Sequence, residues 1–88
     1  MVKDLSEKES REAMKNAIEK ATEEARALSE ADLKLDSKAP TGACCLYTFG
    51  VSSCTDGVTE KACRTAASNT GTMYKWKKGK SCSEISCP

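Results

Sequence analysis

The sequence predicts a small, disulfide-rich protein of the α+β class, in which one long N-terminal helix precedes a cysteine-rich module. The two parts of the chain differ in composition: the first 43 residues contain no cysteine, whereas residues 44–87 contain all six. Aromatic residues make up 5% of the 88 residues, too few for a large core. Chains of this size usually need covalent cross-links in addition to a small core. The cysteines are the residues that can supply them.

Residues 5–35 are predicted to form one amphipathic helix. Apolar residues recur there at spacings of three, four and seven, which places them along one helical face. Ser6 and Glu9 match a capping box at its start, and Ser29 with Asp32 allows a separate last turn. The apolar face is expected to pack against the rest of the chain or against a second copy. Its members are Met14, Ile18, Ala21, Ala25, Leu28 and Leu35.

Residues 36–42, which include Pro40 and Gly42, are predicted to end the helix and to serve as a linker. The chain is therefore divided into residues 1–40, a helix with its linker, and residues 41–88, a disulfide-rich module. Four roles remain open for residues 1–40. They belong to the mature fold, they mediate self-association, they are a leader or pro-segment that a partner or processing enzyme recognises, or they form a solvated spacer.

A strand, a helix and a hairpin are predicted in the second part of the chain. Apolar and polar residues alternate over residues 46–51, which predicts a strand. Residues 59–67 are predicted to form a two-turn helix with Thr59 as its N-cap. Residues 73–76 alternate again, and together with a returning strand over residues 81–85 they predict a β-hairpin.

The cysteines predict three disulfide bridges, because an even number in a short chain without histidine is typical of a disulfide framework. Six cysteines allow fifteen pairings. A bond between the neighbours Cys44 and Cys45 would strain the peptide that links them, which excludes three pairings and leaves twelve open. Zinc ligation and thioether formation are the alternatives, although only Cys82 and Cys87 approach the spacing of paired zinc ligands. No cofactor is predicted. The six residues are Cys44, Cys45, Cys54, Cys63, Cys82 and Cys87.

Short motifs around the cysteines follow a recognisable order. They are Thr41-Gly42-Ala43-Cys44-Cys45-Leu46, Val58-Thr59-Glu60 before Cys63, Thr70-Gly71-Thr72, and Gly79-Lys80-Ser81-Cys82 before Cys87-Pro88. In this order they resemble the small cysteine-rich repeat, GACC…C…VTE..C…GGT…G..C….CP, of secreted or surface proteins of environmental bacteria. The loop between Cys45 and Cys54 is longer than in that repeat, and four lysines precede Cys82 where the repeat has Gly, Gln or Asp. The resemblance covers residues 41–88 and implies an extracellular disulfide module without catalytic residues.

Composition argues against several functional classes. The chain has no histidine, so it lacks the general base of Ser-His-Asp and Cys-His catalysis, and no enzymatic activity is predicted. The net charge of +1 does not predict a nucleic-acid partner, and no apolar run is long enough to predict a membrane span. Disulfides predict an extracellular or cell-surface location, although no signal peptide is visible in this chain.

A cluster of aromatic and basic residues near the C-terminus is the predicted binding site. Aromatic rings interleaved with lysines stack on sugars or bases and contact anions. The alternative is structural: Tyr74 and Trp76 are core aromatics on one face of a strand, and the lysines on its other face are solvated. The residues of this aromatic–lysine cluster are Tyr74, Lys75, Trp76, Lys77, Lys78 and Lys80.

These features together predict a secreted, non-enzymatic binding or structural module with a protein or a surface glycan as partner. Two alternatives remain. In one, the chain is a ribosomal peptide precursor, with residues 1–40 as a helical leader and residues 41–88 as a core rich in Cys, Ser and Thr. In the other, it is a toxin or antimicrobial whose acidic pro-segment is cleaved near Lys38.

Overall fold

The computed structural model describes the backbone of residues 2–87 and the side chains of residues 12–87. Within these residues it contains two α-helices, three strands and one short 3-10 helix. They are α1 (Val2–Leu35), β1 (Thr41–Thr48), β2 (Val51–Thr59), α2 (Glu60–Thr70), β3 (Met73–Lys78) and the 3-10 helix (Cys82–Glu84). The predicted class, a small α+β protein with one long helix and three disulfides, is confirmed.

The N-terminal helix α1 is continuous, so the break that Ser29 and Asp32 allowed does not occur. The Ser29 hydroxyl contacts β2 instead of capping a new helix. The predicted capping box at Ser6 and Glu9 falls outside the residues with described side chains. The predicted helix over residues 5–35 is therefore confirmed as one element.

The three strands form an antiparallel sheet in the order β2-β1-β3, so β1 is the central strand. β1 and β2 are joined by a two-residue turn at Phe49 and Gly50. Gly50 has a φ of 74°, which glycine adopts without strain. The strand predicted over residues 46–51 is therefore wrong at its end, because the chain reverses direction there. It is also wrong at its start, because β1 begins at Thr41, inside the predicted linker over residues 36–42, where Thr41 and Gly42 already pair with β2.

The hairpin predicted over residues 73–85 is also wrong. β3 pairs with β1 instead, and Leu46 lies opposite Tyr74. The chain after β3 does not return as a strand, because disulfides at both of its cysteines draw it across the sheet as a 3-10 helix and a tail. The Ser81 N–H donates to the Glu84 carboxylate at 3.1 Å within this turn.

A bulge interrupts β2 at Asp56 and Gly57, where two residues oppose Ala43 of β1. Gly57 has a φ of 69°, a left-handed conformation that glycine adopts without strain. The Asp56 carboxylate accepts a hydrogen bond from the Cys82 N–H at the start of the 3-10 helix. The bulge thus provides a polar contact between β2 and the tail.

The core lies between one face of the sheet and the two α-helices. α1 contributes Ile18, Ala21 and Ala25, each at most 2% exposed. Most of the facing residues of α2 are alanines, and small side chains on both helices allow a close approach. The other buried members of the core are Cys44, Leu46, Val58, Ala62, Cys63, Ala66 and Ala67.

The second helix, α2, follows the sequence-based expectation. It begins after Thr59, whose hydroxyl accepts a hydrogen bond from the Ala62 N–H at 3.2 Å. It ends at Gly71, which has a left-handed φ of 68° and forms the C-cap. The predicted helix and its N-cap are confirmed, and the helix extends to Thr70.

The other face of the sheet is covered by the tail, residues 79–87. Ala43 and Cys45 of β1 are 0% exposed, yet neither belongs to the core under the helices. Because side chains alternate along a strand, these two point away from the helices. The central strand is therefore enclosed on both faces.

Candidate functional site

Three disulfides connect the layers of the fold, and all six cysteines take part in them. One joins β1 to α2 inside the core, and the other two join β1 and β2 to the tail. Their Cα atoms are 5.8, 5.9 and 5.9 Å apart, within the usual range for disulfides. The pairs are Cys44–Cys63, Cys45–Cys87 and Cys54–Cys82.

The side chains of the adjacent cysteines of β1 point to opposite faces of the sheet. Cys44 points to α2 and Cys45 to the tail, and both are 0% exposed. This alternation keeps the neighbours from bonding to each other, as the sequence predicted. All six sulfurs are held in disulfides. The described residues also contain no group of three His, Cys, Asp or Glu side chains placed to hold a metal ion.

A polar seam joins α1 to β2. Its central residue is Ser29 of α1, which is 3% exposed. The Ser29 hydroxyl donates to the Gly57 carbonyl oxygen at 3.3 Å and accepts from the Thr59 N–H at 3.1 Å. Both partners are main-chain groups of β2, an edge strand. The hydroxyl therefore satisfies part of a sheet edge that would otherwise be open.

Two further hydrogen bonds extend this seam along α1. The Arg26 Nε donates to the Thr55 hydroxyl at 3.0 Å. At the other end, the Thr59 hydroxyl donates to the Asp32 carboxylate at 2.8 Å. The seam fixes the direction of α1 across β2, and no disulfide takes part in this attachment.

The residues predicted to pack through α1 face the rest of the same chain. Ile18, Ala21 and Ala25 lie in the core, and Leu28 is partly buried against it. Met14 is half-buried at the end of this face, beside the β1–β2 turn. Leu35, the last member of the predicted face, is 89% exposed and lies outside the core, so the prediction is wrong at that position. Packing within the chain accounts for most of the rest of the apolar face, and its role in self-association stays a prediction.

The residues of the aromatic–lysine cluster do not share one surface. Alternation along β3 places Tyr74 and Trp76 on the face with the helices and Lys75 and Lys77 on the face with the tail. The Trp76 indole N–H donates to the Val58 carbonyl oxygen at 2.8 Å, and the ring packs against the core. The binding role of the cluster stays a prediction.

Two lysines of the cluster contact residues of the tail, and one of them, Lys80, is itself part of the tail. The Lys75 ammonium donates to the Ser86 carbonyl oxygen at 3.2 Å, and the Lys80 Nζ lies 3.7 Å from the Glu84 carboxylate. Hydrogen bonds from the Ser81 N–H and hydroxyl, with a smaller effect of Lys80, hold the pKa of Glu84 below its ordinary value. The remaining lysines of the cluster, both exposed, are Lys77 and Lys78.

The most exposed aromatic side chain of the protein lies at the tip of the β1–β2 hairpin. Phe49 is 82% exposed. It forms one wall of a groove of about 620 Å³ between the hairpin tip and α1. We call this feature the hairpin-tip groove. Its lining residues are Met14, Lys15, Ile18, Glu19 and residues 49–53.

The sequence-based prediction missed this groove, because the alternation over residues 46–51 assigns Phe49 to the interior of a strand. The signal that indicates a turn instead is Gly50. A glycine between two runs rich in β-branched and aromatic residues is typical of a two-residue hairpin turn. An aromatic residue in such a turn projects into solvent.

In comparisons with known proteins, no family model, no curated protein and no solved structure matches this chain. The resemblance of residues 41–88 to a cysteine-rich repeat therefore stays a prediction. Over the residues that the structure describes, we find no helix with an apolar stretch long enough to cross a membrane.

Proposed function

We propose that this protein is an exported, non-enzymatic binding module that presents Phe49 to a protein partner. The observation that carries this proposal is the 82% exposure of Phe49 beside a groove of about 620 Å³. Aromatic residues are enriched at the centres of protein interfaces, and grooves of this volume accept the side chains of a ligand. The apolar character of Phe49 favours a protein partner over a glycan.

The disulfides support a binding role because they brace the hairpin that carries Phe49. Cys45 and Cys54 lie directly opposite each other in the β1–β2 pair. Each forms a disulfide with the tail, to Cys87 and Cys82 respectively. A rigid surface loses little conformational entropy when it binds, so the affinity of its contacts is retained.

Export and the absence of catalysis rest on the chemistry of the chain. Disulfides persist in oxidising compartments, which supports a location outside the cytosol. The 88 residues contain no histidine, the side chain that most often acts as a general acid or base near neutral pH. These two features support a stable extracellular scaffold that binds and does not catalyse.

The packing of α1 favours this proposal over a cleaved leader or pro-segment. Ile18, Ala21 and Ala25 fill the core, and Ser29 satisfies two main-chain groups of β2. Removal of residues 1–40 would leave the face around Leu46 open to water. Exposed apolar patches of this kind promote aggregation, which argues for a mature protein that retains α1.

Intact mass of the natively produced protein tests the exported module. We expect residues 1–40 to be retained, a mass lower by two hydrogens for each of three bridges, and alkylation of all six cysteines only after reduction. Free thiols in the native protein would contradict export. Losses the size of water, or thioether links, would instead support a modified peptide precursor, and removal of residues 1–40 would support a pro-segment.

Site-specific photo-crosslinking tests the binding surface. A photoreactive side chain at position 49 is compared with the same side chain at position 35, because Leu35 is 89% exposed but lies outside the hairpin-tip groove. We expect a defined crosslinked product from position 49 in the native environment and none from position 35. Equal crosslinking from both positions would contradict a specific role for Phe49.

A further inference from the structure

The hairpin-tip groove combines a projecting apolar side chain with an adjoining recess. Phe49 projects from the turn with 82% of its surface exposed. The recess beside it lies between α1 and the start of β2 and is lined in part by Met14 and Val51, both half-buried. A surface that carries both a projection and a recess is able to pair with itself around a twofold axis.

Two opposite charges flank this recess on α1. Lys15 and Glu19 are exposed, and both line the groove. Among the described side chains these two do not form an ion pair with each other. They are separated by about 6 Å along the helix axis, four residues at the rise of an α-helix. When two such helices face each other in antiparallel orientation, Lys15 of each copy lies opposite Glu19 of the other.

We propose that the occupant of the hairpin-tip groove is a second copy of this chain, an inference that rests on the binding function proposed above. Phe49 of each copy enters the recess of the other, beside Met14, whose thioether makes favourable contacts with aromatic rings. Lys15 and Glu19 at the rim set the antiparallel orientation. In this arrangement Phe49 of each copy fills the recess of the other, and Lys15 of each copy faces Glu19 of the other.

The expected dimer is weak and reversible. Each copy contributes one groove, so the interface is smaller than the roughly 1,600 Å² of total buried surface in a standard interface. Small interfaces belong to weak or transient complexes, and we expect a dissociation constant on the order of 10–100 μM. The equilibrium is therefore visible only when the concentration is varied over a wide range.

Sedimentation equilibrium of the oxidised full chain, from about 1 μM to about 1 mM, brackets this dissociation constant and tests the proposal. We expect Phe49→Ser to raise the dissociation constant at least about tenfold, because each copy loses the burial of one aromatic side chain. Leu35→Ser is the matched control, since Leu35 is 89% exposed and lies outside the groove, and it should leave the constant unchanged. Thermal unfolding confirms that both variants are folded.

A charge-swap series tests the orientation of the two copies. Lys15→Glu and Glu19→Lys each place like charges opposite each other, and each should weaken the dimer about threefold, as expected for exposed ion pairs. The double variant restores opposite charges and should regain the affinity of the unaltered protein. Added salt should weaken the unaltered dimer and the double variant to the same extent.

A protein that stays monomeric at about 1 mM overturns this inference, because its dissociation constant for dimerisation would then lie far above the expected value, which is on the order of 10–100 μM. A dimer that Phe49→Ser leaves unchanged overturns it as well. Failure of the binding function is distinguishable, since photo-crosslinking reports on it separately. If position 49 crosslinks to a different protein and sedimentation shows a monomer, the proposed dimer is contradicted but the proposed binding function is supported. Equal crosslinks from positions 49 and 35 contradict both.

Discussion

Residues 2–35 and residues 41–87 are stabilised by different kinds of interaction. All three disulfides lie in the second region and join its strands, its helix and its tail. The first region is α1, which attaches to the second through packing and the polar seam around Ser29. Residues 41–87 are therefore cross-linked and provide a surface, and α1 depends on packing against that surface for its stability.

The two kinds of interaction act on different states of the chain. Disulfides act largely by restricting the unfolded chain, so they stabilise the module whether or not α1 is docked. Helices in proteins obtain most of their stability from the burial of an apolar face. Two of the three α1 residues in the core, Ala21 and Ala25, are small and bury little apolar area. The docking of α1 therefore depends mainly on Ile18 and on the hydrogen bonds of the polar seam.

Complete reduction should have the largest effect. Removal of a native disulfide from a small domain typically costs about 2–5 kcal/mol, so three together match the whole stability of about 5–15 kcal/mol expected for a small domain. We expect the reduced chain to lose its cooperative thermal transition and to keep only partial helicity from α1. Circular dichroism with and without reductant measures this. A reduced protein with an unchanged transition would show that packing alone maintains residues 41–87.

Ile18→Ala should have the next largest effect, a loss of about 2–5 kcal/mol in the free energy of unfolding, because it opens a cavity between α1 and the sheet. Urea denaturation of the oxidised protein measures the change. Leu35→Ala, on the same helix but at an 89% exposed position, should stay within about 0.5 kcal/mol. Equal effects of the two substitutions would contradict the docking of α1.

Ser29→Ala should lower the free energy of unfolding by about 1–3 kcal/mol, because the buried Thr59 N–H loses its partner and the Gly57 carbonyl loses a hydrogen bond that is partly buried. Ser37→Ala, at an exposed linker position, is the matched control and should be neutral. Hydrogen exchange at the Thr59 amide gives a local measure, which should speed up in the Ser29 variant alone. An unchanged exchange rate would show that the seam does not protect the edge of β2.

Glu84 should give the smallest effect. Its lowered pKa means that its stabilising contribution is present above the ordinary carboxyl pKa and is lost as the pH falls through the lowered value. The group is exposed, so the effect on total stability is slight, and a carboxyl titration by nuclear magnetic resonance is the suitable measurement. Ser81→Ala removes the hydroxyl donor but not the N–H, and should raise the pKa part of the way. A titration of Glu84 at its ordinary value would contradict the hydrogen bonds from Ser81.

Local signals were sufficient to predict much of this fold. The helical repeat of α1 and the Thr59 cap of α2 involve residues close in sequence, so the sequence alone specifies them. Cysteine number and spacing likewise predicted a three-disulfide framework. The pairing was not predictable, because it depends on which faces of the sheet meet α2 and the tail. The segment over residues 81–85 was predicted to return as a strand, yet the Cys54–Cys82 disulfide places it across the sheet.

The candidate site was less predictable than the fold. The aromatic–lysine cluster is contiguous in sequence, but strand alternation divides it between two faces, and the Trp76 indole is bonded to Val58. The hairpin-tip groove has the opposite character, because Met14 and Val51 are far apart in sequence and meet only after α1 docks. Proximity in sequence thus suggested the aromatic–lysine cluster, which the fold divides between two faces. It gave no indication of the hairpin-tip groove, which forms from residues far apart in sequence.

The overlapping disulfides also limit how the chain crosses a narrow channel. The loop closed by residues 44–63 crosses the loops closed by residues 45–87 and 54–82 in sequence, so the oxidised chain between residues 44 and 87 cannot be pulled straight. The folded protein has smaller dimensions of 24 and 14 Å, which a channel built for an extended chain does not admit. Such a channel therefore admits this chain only while its disulfides are reduced.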